Sequence, residues 1–83
     1  MGQLSDHQET DSFSYERSWE EIEQMLDAAE KVQNKWIMTF YTAKEQDEKD
    51  LMKEAARNKK ALEGVIKTLR WCLGDKKIKH PLK

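Results

Sequence analysis

The sequence has few of the residues on which disulfide-rich and nucleotide-binding proteins depend. Its 83 residues include one cysteine, one proline and three glycines, so no internal disulfide can form and no glycine-rich phosphate loop is present. No apolar run is long enough to cross a membrane, and the N-terminus lacks a secretory hydrophobic segment. We therefore expect a cytoplasmic protein without a membrane span.

Catalytic motifs are also missing. The chain has no HExxH sequence, no nucleophile elbow and no Glu-x-x-His pair for a di-metal site. The single cysteine, Cys72, falls beside Leu69 and Leu73 in an apolar pattern, which predicts a buried small side chain and not a nucleophile. We expect no catalytic residue, no metal ligand and no cofactor, and hence no enzyme.

The clearest helix signal runs from residue 51 to Gly74. Apolar residues recur there in steps of three and four, which keeps them on one side of a helix. Gly74 stands where a left-handed residue would end that helix, because glycine adopts this conformation without a Cβ clash. The predicted stripe consists of Leu51, Ala55, Asn58, Leu62, Val65, Leu69 and Cys72.

A second helix is predicted to begin after Ser18. Ser18 and Glu21 have the spacing of a capping box, in which each side chain bonds the other residue's backbone N–H. The apolar residues that follow lie on one broad face, and they are Trp19, Ile22, Met25, Leu26, Ala29, Val32, Trp36 and Phe40. This face and the stripe of residues 51–74 are natural partners.

Seven polar residues, 44–50, separate the two patterns, and the heptad phase changes across them. Two interpretations are open: one long helix with a phase slip, or a turn that folds the chain back. The segments differ in charge, since residues 1–50 carry 5 basic and 13 acidic side chains and residues 51–83 carry 10 and 3. Opposite charges favour pairing. We therefore predict an all-α fold, an antiparallel, coiled-coil-like hairpin with helices of about 19–42 and 47–73.

The predicted organisation has three parts. Residues 1–17 form a flexible N-terminal segment, residues 18–74 the helical hairpin, and residues 75–83 a basic C-terminal tail. The tail contains Pro81, which is incompatible with a regular helix.

Self-association is predicted from residues 36–41. Five of these six residues are large and apolar, and they point in every direction around a helix. One hairpin partner cannot cover them all, so we expect a homo-oligomer, a dimer or larger, that assembles into a helical bundle. The predicted self-association residues are Trp36, Ile37, Met38, Phe40 and Tyr41.

One further cluster suggests a ligand or partner surface. Helical spacing places Trp71 away from the apolar stripe, beside a glycine and two lysines, and such a flat aromatic can stack a base while lysines meet phosphate. The competing interpretation, which we favour, is packing: either Gly64 allows another helix to approach, or Phe13 and Tyr15 cover Trp71. The cluster comprises Lys60, Gly64, Lys67, Thr68 and Trp71.

Two functions are compatible with these features. The first is a small non-enzymatic helical protein that self-associates and binds a partner macromolecule, as a regulator or inhibitor does. The second is a nucleotide- or nucleic-acid-binding protein that uses Trp71 and the basic second helix. Because the basic side chains spread around that helix, a protein partner is the favoured expectation.

Overall fold

Two antiparallel α-helices make up the fold in a computed structural model that describes residues 13–83. Helix α1 spans Trp19–Glu45 and helix α2 spans Lys49–Cys72, and no strand occurs in this part of the chain. The predicted all-α hairpin is confirmed, and a single long helix is excluded. Of the predicted flexible segment, residues 1–12 lie outside the described residues.

The N-terminus of α1 is closed by the predicted capping box. The Glu21 backbone N–H donates to Ser18 Oγ at 3.1 Å, and the Ser18 backbone N–H donates to Glu21 Oε1 at 3.0 Å. This second bond, followed by the charge of Arg17, lowers the pKa of the Glu21 carboxyl. Two N–H groups that the helix leaves without partners are thereby satisfied.

The turn between the helices is built without glycine. Asp47 takes a positive φ of 57°, a conformation that short polar side chains tolerate better than other L-residues. The Glu48 N–H donates to the Ala43 carbonyl at 2.9 Å and the Asp47 N–H donates to the Lys44 carbonyl at 3.2 Å. This pair of bonds is a Schellman motif with aspartate at its left-handed position.

The C-terminus of α2 uses the same motif with the predicted glycine. Gly74 has a φ of 83°, and its N–H donates to the Trp71 carbonyl at 3.0 Å. The Asp75 N–H donates to the Arg70 carbonyl at 3.0 Å, which completes the Schellman pair. The predicted end of the helix is therefore confirmed.

The interface between the helices is thin. Only Ala29, Ala43 and Ala55 are buried among the described residues, and no large side chain there is fully buried. Larger side chains along the interface are half-buried. They are Ile22, Leu26, Gln33, Trp36, Ile37 and Phe40 on α1, with Leu51, Met52, Asn58, Leu62, Ile66 and Leu69 on α2 and Leu73 at its C-cap.

The predicted position of Cys72 was wrong. Cys72 is exposed, Val65 is 44% exposed, and the inward positions are Ile66 and Leu73 instead. The inward residues of α2 advance by steps of 4, 3, 4, 4, 3 and 4 from Leu51. A pattern that repeats every seven residues falls about 20° behind a straight helix at each repeat, so its later members rotate out of the interface.

The same rotation affects α1, where Leu26 and Gln33 face the partner helix more fully than Met25 and Val32. Met25 and Val32 therefore lie at one edge of the interface and not in its centre. Both helices carry apolar side chains beyond the stripe that they bury against each other.

Arg70 joins three parts of the fold. Its guanidinium pairs with Glu30 of α1 and lies 3.7 Å from Asp75 Oδ2 in the C-terminal segment. Asp75 Oδ1 also accepts a bond from the Lys77 N–H at 2.9 Å. Ile78 is half-buried beyond this turn, whereas Leu82 is exposed.

Candidate functional site: two unlike sides of the hairpin

The hairpin has two sides, and contacts between the helices identify them. The Glu30–Arg70 ion pair joins one edge of α1 to one edge of α2. A depression that contains Ile37, Tyr41 and Lys59 continues on that same side. In an antiparallel pair, the opposite edges of both helices then share the other side of the hairpin.

The first side carries a groove that we call the basic groove. Two depressions share Phe40 and Ala56 in their linings, so they lie next to each other along the same side of the helices. Its floor is apolar and consists of Ile37, Phe40, Tyr41, Met52 and Ala56. Its charged lining consists of Lys44, Lys49, Lys53, Lys59 and Lys60, with the carboxylates of Asp47 and Glu63.

The lysines of the basic groove are largely uncompensated. Lys60 lies 3.9 Å from Glu63, and within residues 13–83 the other four lysines have no carboxylate within 4 Å. All five are exposed. Tyr41 is 58% exposed and rests edge-to-face on Phe40, with ring centroids 5.6 Å apart. The groove therefore combines an aromatic floor with a positive lining.

The second side carries a surface that we call the apolar side. Met25, Val32 and Val65 are exposed there by about two-fifths or more of their area, and Ala28 is exposed as well. A depression joins Met25 and Ala28 to Leu69 of the other helix, and Arg17 and Glu21 lie in its lining as well. Spacings of three and four put positions 25, 28, 32, 36 and 39 of α1 and positions 58, 61, 65, 68 and 72 of α2 on this side. None of these ten positions carries a charged residue.

The five predicted self-association residues are distributed around α1. Ile37 and Tyr41 line the basic groove, Phe40 points between the helices, and helical spacing puts Trp36 at the edge of the apolar side. Met38 faces away from α2 and is 70% exposed. They form no single patch on one hairpin, as expected for a segment that is apolar all round.

Comparison of the chain with protein-family models, with curated proteins and with solved structures finds no match. Residues 13–83 hold no group of three or more histidine, cysteine, aspartate or glutamate side chains that could bind a metal ion. In the same part of the chain, neither helix is both long and apolar enough to cross a bilayer.

The Trp71 cluster lies on the outward face of α2. Trp71 is 48% exposed, Lys60, Gly64 and Thr68 are exposed, and Lys67 is half-buried. A Cβ at Gly64 would meet no atom within 4 Å, so no element of the described chain approaches the glycine. The side chains share a face, as predicted, but form a convex surface.

Phe13 and Tyr15 do not act as a cover for Trp71. They stack edge-to-face on each other, with centroids 5.8 Å apart, and both are more than half exposed. Of the two packing interpretations for the Trp71 face, only the approach of another chain's helix is left.

Sequence reasoning missed the basic groove. The lysines of α2 spread around the isolated helix, so the sequence pattern of that helix alone does not place them on one surface. Met52, Ala56, Lys59 and Glu63 recur in steps of four and three, which is a detectable signal for one edge. Assigning that edge to the side of Tyr41 requires the hairpin geometry.

Proposed function

We propose that this chain is a small non-enzymatic interaction protein that self-associates through its apolar side and acts by binding another macromolecule, as regulators and inhibitors do. The observation that carries the proposal is the interior of the hairpin, where three alanines are the only buried residues described. A reducing compartment such as the cytoplasm suits an exposed, unpaired thiol like that of Cys72.

Energetics favour association. The helical hairpin of residues 18–74 is below the size of about 70–80 residues under which one core rarely supplies more than about 3–5 kcal/mol, and disulfides, metals or oligomerisation supply the remainder in such domains. No disulfide can form within a chain that has a single cysteine. Large side chains such as Met25 and Val32 are left partly in water by one hairpin. A second copy can cover them at the apolar side, where the central positions carry no charge and the charged Arg17 and Glu21 lie at one end of the depression.

Charge favours one arrangement of the two copies. Helix α1 carries six carboxylates and three lysines, whereas α2 carries seven basic and three acidic residues. The apolar sides of two copies can pack together in two ways. If the two-fold axis is parallel to the helices, α1 of one copy packs on α2 of the other. If the axis is perpendicular to the helices, α1 packs on α1 and α2 packs on α2. Complementary charge selects the first arrangement, a four-helix bundle with both turns at one end.

Small residues allow close approach in that bundle. Ala28 and Ala61 are exposed at helix positions that face the second copy, and neither adds a side chain long enough to hold the backbones apart. Interhelical distances range over about 8–10 Å with the side chains at the contact, and small residues favour the shorter distances. The apolar side thus offers both apolar area and a suitable shape.

Sedimentation equilibrium of the full chain at micromolar concentration tests the proposal. We expect a mass at least twice that of the 9.8 kDa chain, with dissociation on dilution accompanied by loss of helix signal. A stable, fully helical species of 9.8 kDa at every concentration would refute self-association.

A second candidate function is supported by the exposure of Trp71. A half-exposed tryptophan near Lys60 and Lys67 can stack a base beside phosphate-binding ammonium groups. Under this function Trp71→Ala leaves stability unchanged and weakens single-strand or nucleotide binding by about 1–3 kcal/mol. If a helix of another chain packs on this face instead, a contact separate from the apolar side, the same substitution weakens that contact by roughly 2–4 kcal/mol and leaves no nucleic-acid binding to lose.

A further inference from the structure

We propose that the basic groove is the partner-binding site and that its occupant is an acidic amphipathic helix of a different protein. This inference rests on the proposed function, because it names the class of partner that such an interaction protein would bind. It concerns the side of the hairpin opposite the apolar side, so a dimer can bind its partner without dissociating.

The shape of the groove suits a helix. Two packed helices leave a linear channel on each side, and a third helix laid in it completes a three-helix layer. The lining of the groove extends from Lys49 to Glu63 on α2, which corresponds to a length of about 21 Å at 1.5 Å per residue. A partner helix of about 14 residues, or four turns, has the same length.

The floor of the groove provides apolar anchoring points. Tyr41 offers a large, exposed ring of the kind that dominates many interfaces, and the ring contacts Phe40 edge-to-face. Met52 adds a flexible thioether that adapts to the side chain it meets. Apolar residues at i, i+3, i+4 and i+7 of a docking helix would lie along this floor.

The lining of the groove defines the charge of the partner. Five lysines face two carboxylates, and four of the lysines have no ion-pair partner in the described chain. Glutamates or aspartates that flank the apolar stripe of the docking helix would meet these ammonium groups at the rim. Such rim charges steer association and exclude basic competitors.

A protein helix fits these features better than nucleic acid does. Asp47 and Glu63 lie in the lining and would repel a phosphate backbone. The floor between the lysines is apolar, and the lining contains no arginine. Nucleic-acid surfaces instead combine a continuous basic track with accessible aromatic platforms.

The test uses the full chain and a synthetic probe. The probe is a fluorescent peptide of about 14 residues, with leucines at i, i+3, i+4 and i+7, glutamates flanking the leucine stripe and alanine, the best helix former, at the remaining positions. Binding is followed by anisotropy at two salt concentrations, with the mass of the protein measured in parallel. We expect the probe to bind, and we expect its affinity to fall as the salt concentration rises. The Lys53→Glu/Lys59→Glu variant should bind about tenfold more weakly or worse, and Tyr41→Ala should also bind more weakly.

The control variant reverses two charges outside the groove. Lys35 and Lys79 are exposed, unpaired within the described residues and absent from the groove lining, so Lys35→Glu/Lys79→Glu has the same net charge as the groove variant. We expect this control to bind the probe with less than about a threefold loss. All three groups of substitution are at exposed positions, and helix content is checked by circular dichroism.

Three outcomes would overturn the inference. They are equal losses in the groove and control variants, equal binding by a polyglutamate peptide without leucines, and tighter groove-dependent binding by a single-stranded oligonucleotide. The parallel mass measurement separates this inference from self-association. A monomeric chain that binds the probe in its groove refutes self-association alone, whereas a dimer that ignores the probe refutes the groove as the site.

Discussion

Val65→Glu is the most direct test of the apolar side. Val65 is 44% exposed in one hairpin, and complete burial of a valine contributes about 1.5–3 kcal/mol. Covering its exposed part in a dimer therefore contributes about 1 kcal/mol per copy. In a single hairpin a glutamate at this position can direct its carboxylate into water, and glutamate is a better helix former than valine.

In the dimer the same substitution places two carboxylates at an apolar contact. Each loses hydration, at a cost of several kcal/mol when no partner charge is present. With a conservative figure of about 2 kcal/mol per carboxylate and the lost burial of Val65, the dimer is destabilised by about 6 kcal/mol. This corresponds to a dissociation constant more than about a thousandfold higher.

Sedimentation over a range of concentrations measures the effect, with circular dichroism on the same samples. Met38→Glu is the matched control, because Met38 is 70% exposed on the face of α1 that points away from α2. We expect Val65→Glu to be monomeric where the native chain and Met38→Glu are dimeric. Equal dissociation constants for Val65→Glu and the native chain, or equal dissociation by Met38→Glu, would show that another surface mediates assembly.

Four other tests probe separate parts of the fold. Gly64→Ala should stabilise by about 0.5–1 kcal/mol in thermal unfolding, because the added Cβ meets no atom; destabilisation would show that a helix of another copy covers Gly64. Ser18→Ala should cost about 1 kcal/mol in denaturant unfolding, and an unchanged midpoint would mean that the cap contributes nothing. The pKa of Glu21 is lower in the folded protein than in the unfolded chain, so the ionised carboxylate stabilises the fold. This stabilisation is fully present above the pKa of unfolded glutamate and is lost as the pH falls through the pKa of folded Glu21, which can be followed by NMR titration of the Glu21 carboxyl. A short bis-maleimide should cross-link Cys72 between the two copies. The dimer with its two-fold axis parallel to the helices puts both thiols at one end of the bundle, whereas a perpendicular axis separates them by about 36 Å.

Much of the fold could be predicted because its signals are local. The Ser18–Glu21 box and Gly74 act within one turn of backbone, so sequence spacing identifies them directly. The turn was harder to recognise, since Asp47 takes the left-handed position that glycine normally occupies. Its presence had to be inferred from the charge and phase of the flanking segments.

The sides of the hairpin could not be predicted in the same way. Val65 and Ile66 differ by about 100° around the helix, and only Ile66 faces α1. A heptad pattern accumulates a phase error of about 20° per repeat, so it becomes less accurate along the helix. Cys72, near the end of α2, was therefore misplaced, whereas Leu51 and Ala55 near its start were assigned correctly. Which edges of α1 and α2 share a side is a tertiary property that a single helix pattern does not contain.

The two unlike sides have a consequence for how the protein would act. If apolar sides meet about an axis parallel to the helices, the two basic grooves lie on opposite flanks of the four-helix bundle and point away from each other. Each groove is formed within one hairpin, so the first partner helix does not compete with the second. Such a dimer would hold two partner molecules apart while linking them, and two weak groove contacts with a partner that is itself dimeric would gain from high effective concentration. Self-association and partner binding would then be parts of one mechanism, in which the apolar side sets the valency and the basic groove sets the choice of partner.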